Sequence, residues 1–308
     1  MSDTKLRCVV TGGSNGLGKA CVEALLRNEH QVTLCASSTD SGQRALTQLQ
    51  AQFPNGDIDL AVGDFASLEQ CSAVAQDLQA RRPQIDLLLH CAGTVEPRYR
   101  KTADGLESTF AINHVAPWLL SQHLLPQLQA APQAQILFIT SALHAASWDE
   151  PFQQTVANYS GDLAYRQSKL ANLLTAAELT QRLAATNVRV NAIHPGIVDT
   201  GLLDKLDAAR AVVPAQVQSP PRPATITQRF RSTLRRLRKT WQGAPPASQP
   251  ISPATAAADV LHVATAANLA SVRGGYFVGR SIALAKPSAN DLALARRLWE
   301  YTERLASA

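Results

Sequence analysis

Four glycines near the start limit what this chain can fold into more than any other feature. They lie in Thr11-Gly12-Gly13-Ser14-Asn15-Gly16-Leu17-Gly18. A short apolar run, Leu6-Arg7-Cys8-Val9-Val10, precedes them, and an Ala- and Leu-rich helical pattern follows from Lys19 to about Asn28. A strand that passes through a glycine turn into a helix makes a phosphate cradle. Glycine lets the backbone approach the anion, and the first N–H groups of the helix point at it. The spacing is Gly-x-x-x-Gly-x-Gly, not Gly-x-Gly-x-x-Gly. As an isolated turn it has a plain structural connection as the lesser alternative. Its place between a first strand and a helix favours the binding reading.

Further apolar runs read as strands at 31–35, 58–62, 86–90, 136–140, 188–193 and 275–278, with Ala/Leu/Gln-rich helical stretches between them. This alternation predicts an α/β fold of Rossmann type, doubly wound, with a mainly parallel seven-stranded sheet and helices on both faces. Ligands of such sheets bind beyond the strand C-termini, near the point where the strand order reverses. Nearly every unusual polar motif falls at such an end. The 308 residues fit a single dinucleotide-binding catalytic domain over 1–308, provided an insertion at about 205–252 is counted within it.

Hydrophobic content of 45% suffices for a buried core. No run of about 18 apolar residues indicates a membrane-spanning helix. Polar residues run straight into the first strand, so no signal peptide is expected. Cys8, Cys21, Cys35, Cys71 and Cys91 are scattered and odd in number, which favours buried thiols over disulfides or a metal site. A reduced, cytoplasmic setting is the expectation.

Tyr165 and Lys169 stand four apart, about one helical turn, and so share a helix face. A phenol has a reference pKa of about 10, too high for proton transfer at neutral pH; a nearby ammonium favours the phenolate. The pair alone is a common coincidence and reads first as an exposed helix pair. Its company changes that. Thr11 to Gly18, Asp64-Phe65, His90-Cys91-Ala92-Gly93, Asn113, Ser141, Tyr165-x-x-Ser168-Lys169 and Pro195-Gly196-Ile197-Val198-Asp199-Thr200 together resemble the short-chain dehydrogenase/reductase family. The retinol-dehydrogenase-like and protochlorophyllide-reductase-like branch is the most similar. That rests on Asp104 to Glu107 leading to Asn113-His114, Ser141-x-x-His144, Lys169-Leu170-Ala171-Asn172, His194 before Pro195, and Ala295 to Glu300.

The resemblance implies an enzyme that moves a hydride between a nicotinamide cofactor and a carbonyl or alcohol. In it Tyr165 exchanges the proton as general acid/base. Lys169 lowers the Tyr165 pKa and holds the nicotinamide ribose. Ser141 binds the substrate oxygen, and Asn113 binds a water that links Lys169 to solvent. Without the resemblance, Ser141 reads as a strand-end residue and Asn113 as a polar group of a helix or turn. The implied cofactor contacts are Thr11, Gly12, Ser14, Asn15, Gly16, Leu17, Gly18, Ser37, Ser38, Asp64, Phe65, Cys91, Ala92, Gly93, Asn113, Tyr165, Lys169, Pro195, Gly196, Val198 and Thr200. Asp64 would meet the adenine amine and doubles as a candidate N-cap. Pro195 to Thr200 would cover the nicotinamide. The family usually carries Asn at Cys91 and often at His90, so a structural hydrogen bond is in question there.

The second strand ends Cys35-Ala36-Ser37-Ser38-Thr39, and the first acid beyond it is Asp40. A carboxylate at this end would repel a 2′-phosphate, so its absence favours NADP(H), with NAD(H) the alternative. The cation that relatives often carry at Ser37 is missing here too.

Between prolines, Ile226, Phe230, Leu234, Leu237 and Trp241 recur at helical spacing, with Arg229, Arg231, Arg235, Arg236, Arg238 and Lys239 on other faces. This basic amphipathic stretch supplies the excess in a net charge of +5. A substrate lid is the first reading, and it implies a bulky hydrophobic small-molecule substrate. Peripheral contact of 226–241 with an anionic membrane is the second. A solvated face or a partner contact is the third. No reader motif accompanies the cluster, so nucleic acid is not expected. A homo-oligomer stays open. Two other functions use the same fold: a non-catalytic dinucleotide sensor and light-driven protochlorophyllide reduction.

Overall fold

The computed structural model describes residues 5–144, 156–212 and 249–307. The basic stretch 226–241 lies outside the described residues. The strands are β1 (Arg7–Thr11), β2 (Gln31–Ala36), β3 (Ile58–Val62), β4 (Leu87–His90), β5 (Ala134–Ile139), β6 (Val188–His194), β7 (Tyr276–Val278) and β8 (Ser281–Ile282). They form one sheet in the order β3-β2-β1-β4-β5-β6-β7-β8, parallel throughout except for β8. The seven strands expected from sequence are present. The eighth corrects the count: two exposed residues turn back on β7 through Gly279-Arg280, with Gly279 at φ 55°. Two residues are too few to register as an apolar run.

Helices cover both faces, so successive strand residues serve opposite cores and the strands read as unbroken apolar runs. Val9, Leu88, Ile136, Phe138 and Val190 pack on one face with α3 (Leu68–Arg81), α7 (Gly161–Arg182) and α10 (Leu292–Ser307). Val10, Leu87, Leu89, Leu137 and Ile193 pack on the other with α1 (Gly16–Arg27) and α9 (Pro253–Thr265). Serine N-caps start several helices, the side chain accepting from a backbone N–H in the first turn. Ser38 caps α2 (Thr39–Gln52) through Ser41 N at 3.3 Å, Ser67 caps α3 through Gln70 N at 3.3 Å, and Ser252 caps α9 through Thr255 N at 3.1 Å.

One helix is irregular. It begins as α4 (Ser108–Phe110), widens into a π-helical turn at Ala111–Val115, and resumes as α5 (Ala116–His123), with α6 (Leu125–Ala130) after it. Asn113 sits inside the wide turn. Such turns occur mostly at functional sites, because the extra residue re-aims a side chain. Helix α8 (Gly201–Ala211) follows the loop beyond β6.

The strand order reverses between β1 and β4, where Thr11 pairs with His90. Close approach at this point depends on glycine. A Cβ on Gly18 would lie 2.2 Å from the Gly12 carbonyl oxygen, and one on Gly12 would lie 2.8 Å from Ala92 Cα. Gly12 also has φ +67°, which L side chains avoid. Gly201, at the start of α8, has nothing within 4 Å of such a Cβ.

Gly18→Ala is therefore expected to destabilise the protein by at least the roughly 1–3 kcal/mol typical of overpacking. Gly201→Ala is expected to be neutral or to gain up to about 1 kcal/mol from helix propensity. Urea unfolding of the two variants against wild type checks the contrast; equal midpoints would show that the turn can widen.

Candidate active site

The glycine turn brings β1 directly into α1. Asn15 is the N-cap of α1 but makes no side-chain capping hydrogen bond, and the first turn carries no acid. The N-terminal N–H groups of α1 are thus left to an anion, and the close glycine packing leaves room for one. These observations fit the pyrophosphate of a dinucleotide.

Thr11 does something else. Its hydroxyl accepts from Cys91 N at 3.0 Å and Ala92 N at 3.1 Å, and donates to Leu89 O at 3.4 Å. It ties the Cys91-Ala92-Gly93 segment to the end of β1. This answers the question raised by Cys91: the segment is held through its backbone, while the Cys91 thiol pairs with Cys21 of α1. All five cysteines are free thiols, four of them buried. His90 is buried too, its Nε2 2.8 Å from Ser121 Oγ, and burial pushes its pKa down to about 3.

From the other side, the loop after β6 crosses to the same place. The Thr200 γ-methyl carbon would be 3.3 Å from a Cβ on Gly16. The loop is clamped to Ile251: Asp199 N donates to Ile251 O at 2.9 Å, and Ile251 N donates to Ile197 O at 2.8 Å. Thr200 thus lies against Gly16 of the glycine turn, while Gly196 and Val198 pack and pair with Ile251.

Three expected contacts have other duties. Phe65 buries its side chain in the core, so only its backbone can meet a ligand. Asp64 does not cap α3, because Ser67 stands immediately before that helix; Asp64 Oδ1 instead accepts from Ala66 N at 2.9 Å. Ser38 is engaged by the cap of α2 and by Ser41 Oγ at 2.9 Å, whereas Ser37 is exposed beside it.

Of the four candidate catalytic residues, Asn113 and Lys169 lie against Gly93, their Oδ1 and Nζ 3.4 and 3.6 Å from where its Cβ would be, and Tyr165 joins Ser141 next to Lys169. Lys169 and Tyr165 lie on α7, Ser141 just beyond β5, and Asn113 in the π turn. All four are buried. Lys169 Nζ donates to Ile139 O at 3.0 Å and lies 5.6 Å from the centre of the Tyr165 ring. Burial pushes its pKa from 10.5 down to about 8. The Tyr165 phenol is pushed up by burial, while a hydrogen bond with Ser141 and the charge of Arg210 pull it down. The expected lowering by Lys169 is not the main effect, since that ammonium is aimed at a strand-end carbonyl. Ser141 Oγ accepts from Leu143 N at 3.1 Å, so its own proton is free for an oxygen opposite.

Asn113 spends its amide on the protein. Oδ1 accepts from Thr94 N at 2.7 Å; Nδ2 donates to Thr94 O and to Ser168 Oγ, both at 2.9 Å. Ser168 Oγ in turn donates to Tyr165 O at 2.8 Å, and Thr140 Oγ1 donates to Lys169 O at 3.0 Å. Thr94, Thr140 and Ser168 thus brace the group, and sequence reasoning gave them no role. Ser168 was within reach, since it lies inside the Tyr–Lys motif; Thr94 carried no signal beyond following Gly93. Over Tyr165 lies a small apolar cluster: Val95, Leu206 and Ala209, with Leu143 and Leu202 packed against it.

Residues 7–211 match the family profile described as short chain dehydrogenase. Human retinol dehydrogenase 13 is 29% identical over 300 residues, covering 96% of this chain and 83% of that protein. Mouse retinol dehydrogenase 14 is 30% identical over 307 residues, covering 96% and 84%. Among solved structures, an NADPH-bound short-chain oxidoreductase from Pseudomonas aeruginosa PAO1 superposes with a TM-score of 0.62 at 22% identity, covering 89% of this chain and 94% of that one. This last likeness concerns the fold alone. A sheet that reverses at a glycine turn, a matching profile and relatives named as dehydrogenases lead to one conclusion: the chain belongs to the short-chain dehydrogenase/reductase family, as an NAD(P)-dependent oxidoreductase of the retinol-dehydrogenase-like branch.

Proposed function

We propose that the protein interconverts a bulky hydrophobic carbonyl compound and its alcohol, with Tyr165 as general acid/base and NADP(H) as the preferred cofactor. The meeting of Tyr165, Ser141 and the buried Lys169 ammonium, which lies 5.6 Å from the Tyr165 ring, carries this reading. When bound, the nicotinamide ring supplies or accepts the hydride. Gly12 to Gly18 would hold the pyrophosphate, Gly93 and Lys169 the ribose next to the ring, and Pro195 to Thr200 the carboxamide.

The chain's own groups manage the proton. Ser141 donates to the substrate oxygen and steadies the charge that develops there. Tyr165 gives that oxygen its proton in reduction and removes it in oxidation. Burial alone would hold Tyr165 protonated, which suits an acid; in the oxidative direction the ammonium of Lys169 must offset that burial. Asn113 acts through position, keeping Thr94 and Ser168 in place. The apolar cluster of Val95, Leu206 and Ala209 over Tyr165 supports a hydrophobic substrate, as do relatives named retinol dehydrogenases.

The cofactor preference rests on the end of β2. Ser37 is exposed there, and the first acid, Asp40, lies within α2. A hydroxyl admits a 2′-phosphate where a carboxylate would repel it.

The test is absorbance at the nicotinamide band with purified protein, each cofactor, and a panel of aldehydes, ketones and secondary alcohols. Tyr165→Phe keeps the ring and removes the proton; turnover should fall on the order of 10²-fold or more with cofactor still bound. Near-normal turnover would remove Tyr165 from the mechanism.

Lys169→Met should cost both turnover and cofactor affinity. A pH effect should accompany it. Between about pH 8 and the ordinary 10.5, the folded protein has shed the Lys169 proton while the unfolded chain keeps it. Wild type should therefore gain stability over Lys169→Met as pH rises from 8 to 10 without added cofactor. A flat difference in urea midpoints would mean the ammonium is not desolvated.

Ser37→Arg should strengthen NADPH binding relative to NADH through a charge-assisted contact, and Ser37→Asp should reverse the preference. Fluorescence titration of both cofactors checks the pair. Wild type preferring NADH, with no response to Ser37→Asp, would rule out the 2′-phosphate site.

A further inference from the structure

His144 lies three residues beyond Ser141 and is buried, and no step above uses it. Its ring is held at both nitrogens. Lys286 N lies 3.1 Å from Nε2, and a backbone N–H can only donate. Nε2 is therefore the acceptor and the neutral ring carries its proton on Nδ1. Nδ1–H then donates to Ser141 O at 2.8 Å. The same carbonyl also receives His144 N at 3.1 Å, so the tight turn from Ser141 to His144 closes on itself twice. The Lys286 ammonium reaches back to His144 O. Tyr276 of β7 packs edge-on against the imidazole, with ring centres 5.7 Å apart.

The turn so fixed is the one that aims Ser141. Within it Leu143 N donates to Ser141 Oγ at 3.1 Å, which sets the rotamer and leaves the hydroxyl proton for Tyr165 or a substrate oxygen. A hydroxyl on a two-bond turn at a strand end would otherwise swing. The ring spans from the Ser141 carbonyl to the backbone of Lys286, just ahead of the 3-10 turn Pro287–Asn290.

We infer that His144 is a positioning residue: as the Nδ1–H tautomer it holds the Ser141 carbonyl, and through that turn it fixes the Ser141 hydroxyl against Tyr165. This rests on the reading of Ser141 as the hydroxyl that meets the substrate oxygen. Two amide side chains separate the two ring bonds. Asn places an N–H near Nδ1 and lacks the far acceptor; Gln reaches the Nε2 position and lacks the near donor.

The experiment measures kcat, KM and NADPH affinity for the aldehyde that wild type reduces fastest, with melting temperatures in parallel. His144→Phe should lower kcat on the order of 10-fold to 100-fold, the scale of a misplaced reacting group. NADPH affinity should stay within about twofold. His144→Asn should restore most of kcat and His144→Gln should not. In the Ser141→Ala background, His144→Phe should cost nothing further, because both changes remove the same contact. The inference is overturned if His144→Phe or His144→Gln keeps full kcat, if Gln rescues where Asn does not, or if the double variant shows additive losses. Should His144→Phe fail to fold, the Asn and Gln pair decides alone. An absence of wild-type turnover, or an unaffected Ser141→Ala, would instead overturn the reading of Ser141 itself.

Discussion

Burying one ammonium organises this end of the molecule. A charged amine removed from water is costly unless it is well bonded, and here its pKa falls to about 8 as a result. Lys169 Nζ takes the carbonyl of Ile139, the last residue of β5, and Thr140 fixes the backbone of Lys169 in return. Those two bonds set α7 against β5. Ser168, one residue earlier, accepts from Asn113, and Asn113 holds Thr94 at both its N–H and its C=O. The ends of β4 and β5, the wide helical turn and α7 are thereby joined around one cation. A cation this confined stays poor in partners, so a ligand that offers it hydroxyl oxygens gains more from it than from a lysine in water.

Most of the fold was legible because both faces of the sheet are covered. Short apolar runs such as 87–89 and 136–139, bounded by polar turns, suit a strand buried on both sides and little else. The glycine turn anchored the first β–α unit. Strand ends shifted by a residue or two: β1 begins at Arg7 rather than Leu6, and β5 at Ala134 rather than Ile136. Such shifts follow from ladder hydrogen bonds, which leave no mark on composition. Strand β8 escaped notice for a plain reason: two exposed residues have no period.

At the site, side-chain identity was readable and side-chain duty was not. Thr11 stands among the phosphate-binding residues in sequence, yet its hydroxyl serves the neighbouring strand. Phe65 follows Asp64 directly but points into the core. Ser38 resembles Ser37 in every local respect, and only the start of α2 distinguishes them. The balance of effects on Tyr165 also lay beyond reach of spacing. Four residues of separation put Lys169 on the same face, but the carbonyl that claims its charge comes from another strand. Duties of this kind are set by tertiary neighbours, which a single sequence does not display.

The π-helical turn at Ala111–Val115 has a consequence for how this chain can change. Each residue turns a helix by about 100°. The wide turn absorbs one extra residue, so removing a residue there would restore a regular helix while α4 and α5 kept their phase. The two buried faces, Ser108 to Phe110 on one side and Trp118 to Ser121 on the other, would stay aligned. What such a deletion would displace is Asn113, with its hold on Thr94 and Ser168. The extra residue serves the site and not the core, so its loss would reach activity before it reached stability.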